Sequence, residues 1–538
     1  MRWWGWGEDG RAPALPAHAL RHLASEAGIA LRPCPPVALA SVRLPAASLR
    51  AQELASLREI VGEQGVRDDR GERIAHAAGR GYPDLVRLRA GEPEAAPDAV
   101  VVAASHAQVR AVLELCTRRS IAVVPFGGGT SAVGGVAPLR GEHAAVLALD
   151  MRRMPAVLEL DARSLTVTLE AGMRAAALER HLAARGLTLG HFPQSFEHVS
   201  LGGCVATRSA GQASSGYGAI EKMVLGLRLA APAGDIELPA VPASAAGPGL
   251  RQLLVGSEGT LGVIDKLALR VRPAPRERIY EGFFFADFSA GLEALRALAQ
   301  EHALPEVARL SDEAETRTSL ALSGGAGIKD RLGRAYLGLR GYRDGCLAIL
   351  GFEGAGEELA DRRTRALALV RGGGGLAVGR SPGEAWSRSR FAAPYLRDEL
   401  LTHGVMVETL ETAAQWWRVG GLHGEVASAI EQALSACGTP GLVMCHVSHL
   451  YETGASLYFT LLAARRADDE IGQWQAVKQA ATRAIVDGGG TITHHHAVGR
   501  DHAPWMREEV GAESLAALRA LKRELDPAGI MNPEKLLA

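Results

Sequence analysis

The sequence predicts an α+β protein of more than one domain, and three observations carry that expectation. The chain has 538 residues, more than one hydrophobic core usually serves at roughly 100–200 residues per domain. From Asp98 onward, short apolar runs alternate with helix-periodic segments and lead into glycine-rich turns, the pattern of a βαβ unit with a ligand loop. Beyond Pro273 and Pro275, helices and strands mix in a second region, so a domain boundary falls there.

Composition narrows the classes. With 47% hydrophobic and 22% charged residues, this is an ordinary soluble globular protein. Lys and Arg number 59 against 60 Asp and Glu, which gives no reason to expect a nucleic-acid partner. Six cysteines (Cys34, Cys116, Cys204, Cys346, Cys437 and Cys445), with no C-x-x-C spacing, fit a reduced, cytoplasmic setting. No apolar run fits a signal peptide or the ~20 residues of a membrane span. Trp3, Trp4 and Trp6 leave two readings, a peripheral membrane contact or an N-terminal tail packed on the body. No repeat of about 20 to 50 residues is present, which disfavours solenoids and propellers.

Residues 1–96 read as a mainly helical segment. In 97–275, Ala99 to Ala103 is a short buried strand; Val109, Val112, Leu113 and Cys116 keep helical spacing behind Ser105 as N-cap; Ile121 to Val124 is a second buried strand. Further strands fall at Ala145 to Leu149 and Leu165 to Leu169, before a helix from Ala175 to Arg185 that Gly186 stops in the left-handed conformation. Apolar runs bracket Ser200 to Gly218, and Leu261 to Val271 closes the region. Residues 276–503 form the second domain, with a glycine-rich turn at Arg371 to Gly375 and a loose stretch around Ser323 to Gly327. In 504–538 an amphipathic helix from Glu513 to Leu525 ends at Asp526-Pro527-Ala528-Gly529.

The loop Pro125-Phe126-Gly127-Gly128-Gly129-Thr130-Ser131, followed by Gly134 and Gly135, lets the main chain approach a ligand closely and aim several N–H groups at a phosphate. A Rossmann fingerprint needs glycine where Ala132 stands, and no lysine follows to make a Walker loop. Alone, the segment also reads as a surface turn. Two more segments share its small, hydroxyl-rich character at strand ends: Ser200-Leu201-Gly202-Gly203-Cys204-Val205-Ala206-Thr207 with Gly211, and Gly256-Ser257-Glu258-Gly259-Thr260-Leu261-Gly262-Val263-Ile264. In this order they resemble the FAD-binding domain of the vanillyl-alcohol oxidase and p-cresol methylhydroxylase superfamily, from about Pro97 to Pro273. The resemblance implies a two-subdomain FAD-binding domain plus an α/β cap that receives substrate. It implies FAD held by Pro125, Gly127, Gly128, Gly129, Thr130, Ser131, Ser200, Gly202, Gly203, Thr207, Gly211, Glu258, Gly259, Gly262 and Ile264. Members with covalent flavin commonly carry histidine within the first loop; Gly129-Thr130-Ser131 stands there instead, so we expect non-covalent FAD, with attachment through a second-domain histidine left open.

The likeness sharpens over nearly the whole chain. Arg2-Trp3-Trp4-Gly5-Trp6-Gly7, Gly190-His191-Phe192-Pro193-Gln194-Ser195, Thr207-Arg208-Ser209-Ala210-Gly211, Ala308-Arg309-Leu310, Tyr395-Leu396-Arg397-Asp398, Tyr451 to Tyr458 and His494-His495-His496 resemble, in order, segments of the alkyldihydroxyacetonephosphate synthase family of ether-lipid enzymes. The family implies exchange of the acyl chain of acyl-dihydroxyacetone phosphate for a fatty alcohol with no net redox change, the flavin acting as a scaffold, in a homodimer. Tyr458 matches the base at C1. A free tyrosine titrates near ~10, so that role calls for nearby cations, and His494, His495, His496, Arg309 and Arg397 are the candidates. Arg397 matches the substrate-binding arginine, with Arg309 as a second, and His191 matches a histidine at the flavin.

Ordinary readings stand beside these. A tyrosine in Leu457-Tyr458-Phe459 usually packs in a core, an arginine such as Arg309 or Arg397 usually makes a surface ion pair, and His191 alone caps or bridges backbone. Three adjacent histidines are harder to excuse structurally, since each diverging ring needs partners. Cys445-His446-Val447-Ser448-His449 with the triple histidine raises Zn²⁺ as an alternative; we expect no metal. The rival enzyme is a FAD-dependent D-2-hydroxyacid dehydrogenase of the D-lactate type, whose metal-binding histidine and acidic ligand are replaced here by Tyr458 and histidine, although the terminal Gly529-Ile530-Met531-Asn532-Pro533-Glu534-Lys535 resembles that group. A non-enzymatic flavin-fold remnant that binds lipid is the third reading; intact glycine loops count against it.

Overall fold

The structure, a computed structural model, describes residues 1–8, 15–323 and 328–538. Residues 324–327 of the loose stretch around Ser323 to Gly327 lie outside the described residues.

The first sheet has the order Val66–Arg67, Ala99–Val102, Ala145–Asp150, Ile121–Phe126; the first pair is antiparallel and the rest are parallel. Every residue of Ala99–Val102 and Ala145–Asp150 is buried, which is why they read as unbroken apolar runs. Helix His106–Arg119 crosses over this sheet, and Ser105 Oγ accepts from the Gln108 N–H as its cap. The expected βαβ unit is present with one difference: its two strands are not neighbours, because Ala145–Asp150 inserts between them. A second, antiparallel sheet runs Val157–Asp161, Thr166–Glu170, Val263–Arg270, Val224–Ala231, Gly234–Leu238. Leu165 takes φ 54° at the turn, so the strand expected from Leu165 starts at Thr166. The helix expected to reach Arg185 is Ala175–Ala183. Its end tightens, with Arg185 N–H on Leu182 and Gly186 N–H on Ala183, before Gly186 turns at φ 68°.

The cap is built on a seven-stranded antiparallel sheet in the order Leu376–Gly379, Glu277–Phe285, Cys346–Gly354, Val307–Ser311, Gly441–Tyr451, Gly454–Ala464, Val405–Gln415. Helices Phe288–Gln300, Gly356–Gly372, Trp416–Ala436 and Glu470–Asp487 bury one face of it. Period-two alternation sends Leu457, Phe459 and Leu461 into that core and Tyr458, Thr460 and Leu462 to the opposite face. The opposite face looks onto the flavin-domain loops. After helix Ala512–Leu525 the chain returns to the first sheet: the Val123 N–H donates to the Ile530 carbonyl, and the Asn532 N–H to the Val123 carbonyl.

The N-terminal tryptophans follow the packed-tail reading. The Trp6 N–H donates to Asp398 Oδ2 at 2.6 Å, and Trp4 lies under the guanidinium groups of Arg2 and Arg89, 4.6 and 5.0 Å away. Among the described residues no helix is long and apolar enough to cross a membrane.

Candidate active site

Between the flavin-domain loops and the open face of the cap sheet lies a cavity of about 500 Å³. One wall holds every residue the sequence assigned to the cofactor: Pro125, Gly127, Gly128, Gly129, Thr130 and Ser131 after strand Ile121–Phe126; Ser200, Gly202, Gly203, Thr207 and Gly211 in and beyond helix Leu201–Ala206; and Glu258, Gly259, Gly262 and Ile264 leading into strand Val263–Arg270. Glycine is required at Gly128, whose Cβ would press on the His198 carbonyl oxygen and come 3.0 Å from Val199 Cα. The N–H groups of Gly127 through Thr130 donate to no protein acceptor among the described residues. An unsatisfied donor row beside a cavity fits the pyrophosphate of FAD.

Glu258 departs from the cofactor role. Its carboxylate turns away to accept the Val498 N–H at 2.8 Å and the Gly499 N–H at 2.7 Å, and so ties the flavin domain to the histidine loop. Asn532 Nδ2, which the sequence reading did not single out, donates to the Glu258 and Gly135 carbonyls and braces the same junction.

The cap wall brings together Tyr458, His495, His496, Arg309 and Arg397. Tyr458 stands between two strand neighbours, Glu411 and His446. Its ring stacks on His446 at 4.9 Å and faces His495 at 6.0 Å and His496 at 5.5 Å. The expectation that cations lower its pKa is reversed. Burial pushes the Tyr458 hydroxyl above its ordinary 10.0, and a hydrogen bond with Thr409 and the charge of Arg397 offset that only in part. His494 and His496 are not cations either: burial, reinforced by His495, lowers His494 to about 4, and burial lowers His496 to about 3.

His494 sits behind the cavity wall, its Nε2 2.5 Å from the Tyr451 hydroxyl. His191 also stands off the cavity: fully buried, it pairs Nε2 with Ser209 Oγ at 2.9 Å, finds no partner for Nδ1 among the described residues, and is pushed by burial to about 3.

The two arginines differ. Arg309 donates to Glu315 Oε1 at 2.6 Å and to His446 Nε2 at 3.0 Å, so its charge is already compensated and its free role as a substrate cation is lost. Burial works against the Glu315 carboxylate, but Arg309 and His446 hold it at about 2. Arg397 is 9% exposed and, among the described residues, hydrogen-bonds only to backbone and hydroxyl acceptors, the Arg80 carbonyl at 3.2 Å and Thr409 Oγ1 at 3.1 Å, with a long ion pair to Glu408 at 3.9 Å. It is the cation left for an anionic ligand.

Sequence reasoning missed Glu411 and raised His446 and His449 only as zinc candidates. Glu411 is 4% exposed and accepts from Thr493 Oγ1 and from the N–H groups of His494, His495 and His496 at 2.7–3.0 Å. His449, His494 and His495 bring one nitrogen each within 4.8 Å of one another. Both ring nitrogens of His449 are engaged, Nε2 with the Gly211 carbonyl at 3.0 Å and Nδ1 with Ser448 Oγ at 2.9 Å, which leaves it no free lone pair for a cation.

The FAD binding domain family matches residues 97–238, and the family of FAD linked oxidases, C-terminal domain, matches residues 274–536. Fold and site thus define a two-domain, FAD-dependent enzyme of the FAD-linked oxidase type. The alkyldihydroxyacetonephosphate synthase of Dictyostelium discoideum is 33% identical, covering 88% of this chain and 78% of its own length. That of Trypanosoma brucei brucei is 30% identical, covering 100% of this chain and 92% of its own. A solved structure of alkyldihydroxyacetonephosphate synthase, 29% identical, covers 100% of this chain and 99% of its own with a TM-score of 0.86. The chain belongs to the alkyldihydroxyacetonephosphate synthase family.

Proposed function

We propose that this protein exchanges the acyl chain of acyl-dihydroxyacetone phosphate for a fatty alcohol to give an ether-lipid precursor. The observation that carries the reading is that one cavity joins three chemistries: the glycine cradle, the cation Arg397, and an apolar arm walled by Leu15, Leu23, Leu322, Leu400, Met444 and Leu462. A phosphate, a flavin and a long alkyl chain are what those surfaces suit. The exchange balances without an oxidant: the C1–O bond to the acyl group breaks, a C1–O bond to the alcohol oxygen forms, and the alcohol proton and the carboxylate leave as fatty acid. A D-2-hydroxyacid dehydrogenase is less supported, because the related chains carry the synthase name.

FAD, when bound against Gly127 to Ser131, would supply an electron-pair acceptor for the deprotonated carbon and would return the pair, so that no net redox change results. Arg397 holds the phosphate through its planar fork, and the apolar arm takes the chain and excludes water. Tyr458 meets the proton of C1. Since burial keeps it a phenol, it takes that proton only by giving up its own to a neighbour. The test is anaerobic incubation of the FAD-loaded protein with palmitoyl-dihydroxyacetone phosphate and labelled hexadecanol. Labelled ether without an electron acceptor is the expected outcome; no ether, with flavin bleaching by D-2-hydroxy acids, would overturn the reading.

A further inference from the structure

We propose that Glu411 is a positioning residue that fixes the tautomer of His495, so that His495 Nε2 keeps a free lone pair on the cavity side and stores the proton lifted from the substrate. The inference rests on the exchange reading above and goes beyond it by naming where the proton is stored. Its basis is a chain of hydrogen bonds that leaves one arrangement of protons.

The Glu411 carboxylate is buried, and among the described residues no guanidinium or ammonium group lies within ion-pair distance of it; its only ion partners are imidazoles. A carboxylate so placed needs N–H donors to offset its lost hydration. It has the backbone N–H groups of the histidine loop, and its Oε2 is 3.1 Å from His495 Nδ1. His494 Nδ1 is 2.9 Å from the same His495 Nδ1. Two lone pairs cannot face each other at that distance, so one nitrogen carries the hydrogen. Oε2 is 3.7 Å from His494 Nδ1, farther than from His495 Nδ1, so the hydrogen belongs on His495. His494 Nδ1 then accepts, and its Nε2 carries the hydrogen directed at the Tyr451 oxygen. What is left over is the His495 Nε2 lone pair, which has no hydrogen-bond partner among the described residues, on a ring that lines the cavity.

The other titratable groups around that ring do not compete. His449 lies 5.5 Å away by ring centroid and His496 4.7 Å. Burial holds both neutral, as it does His494 and His191, and Tyr458 stays a phenol. Glu411 is the anion of the set; burial opposes its charge, yet the neighbouring imidazoles hold it well below 4.5. In the step, a C–H bond at C1 breaks, its electron pair stays on carbon beside the ketone, and the proton ends on His495 Nε2, where an N–H bond forms.

The test reads the His495 tautomer directly in the FAD-loaded protein, from the nitrogen-15 shifts of its labelled imidazole, assigned by their loss in His495→Gln. The hydrogen should lie on Nδ1 with Nε2 bare; the reverse assignment overturns the proposal. Glu411→Gln should move hydrogen from Nδ1 toward Nε2, and a tautomer unchanged in that variant refutes the positioning role. Should Glu411→Gln not retain flavin, Glu411→Asp decides: it withdraws the carboxylate from Nδ1, so a loss of the Nδ1–H form supports the proposal and an unchanged tautomer refutes it. Because this readout does not depend on turnover, the Nδ1–H tautomer in a protein that makes no ether would defeat the exchange reading and leave the Glu411–His495 pair standing.

Discussion

Replacing Glu258 with glutamine should remove a pH dependence of stability as well as a hydrogen bond. Glu258 is 8% exposed, in a left-handed turn at φ 52°, and burial raises its carboxyl from 4.5 to about 7 despite the pull of two N–H groups from the histidine loop. Between those values the folded protein holds a proton that the unfolded chain has released. Stability therefore falls as pH rises: the contribution is fully present below about 4.5 and is lost as pH climbs through about 7. At ~1.36 kcal/mol per pH unit, the gap is worth about 3 kcal/mol. A glutamine side chain does not titrate, and it keeps one carbonyl acceptor for the Val498 and Gly499 N–H groups that two carboxylate oxygens now share, so Glu258→Gln carries a fixed penalty of about 1–3 kcal/mol at every pH. Denaturant unfolding of the FAD-loaded wild type and Glu258→Gln, at about pH 4.5 and about pH 8, separates the two effects. The wild-type advantage should shrink by about 3 kcal/mol toward the alkaline side. An advantage equal at both pH values would refute the reasoning, because the carboxyl would then titrate alike in the folded and unfolded chain.

Three further outcomes follow from the cavity. Tyr458→Phe removes one oxygen and keeps the ring stacked on His446, so flavin content should be unchanged while turnover falls about 10²–10⁴-fold; undiminished turnover would move proton transfer elsewhere. Arg397→Ala removes the cation without a close carboxylate partner and should raise KM for the phosphate ester by about 10–100-fold, equivalent to about 1.5–3 kcal/mol, and an unchanged KM would contradict its role. Gly128→Ala drives a methyl into the His198 carbonyl and should abolish FAD retention during purification, read by absorbance; a fully yellow variant would show that the loop yields.

The parts of the fold legible in the sequence are those decided locally. Helix His106–Arg119 announces itself by its apolar spacing and the Ser105 cap, and strand Ile121–Phe126 by an apolar run between turns. Strand order is not local: Ala145–Asp150 reads correctly as a strand, but nothing in its residues says that it slips between two earlier ones. The cap sheet is obscured for another reason. In Gly441–Tyr451, Val443, Cys445 and Val447 face the helices while Met444, His446 and Ser448 face the cavity. Because the cavity face mixes apolar and polar residues, the alternation of a half-wet strand is blurred.

The site divides along the same line. Glycines at Gly127 to Gly129 are legible because close backbone approach demands them whatever the surroundings. Charge states are not, since they depend on depth. The sequence reading named several potential cations that a base at Tyr458 would call for, but Arg309 is neutralised by Glu315 and burial removes the charge from His494 and His496. Glu411 escaped notice for the converse reason: in Val405–Gln415 a glutamate three residues after Glu408 reads as part of a solvated edge, whereas both are 4% exposed. Burying a carboxylate and then surrounding it with the N–H groups of three consecutive histidines is a costly arrangement that a merely structural turn does not require. Arg397, whose ion-pair partner Glu408 stands 3.9 Å away, is left to meet the phosphate, and Glu411 stands behind the histidine loop as its hydrogen-bond acceptor. An exchange that is neutral overall but must lift a proton from carbon needs both signs of charge held apart, and here helix Ala393–Thr402 carries Arg397 while the paired cap strands carry Glu411 and Tyr458.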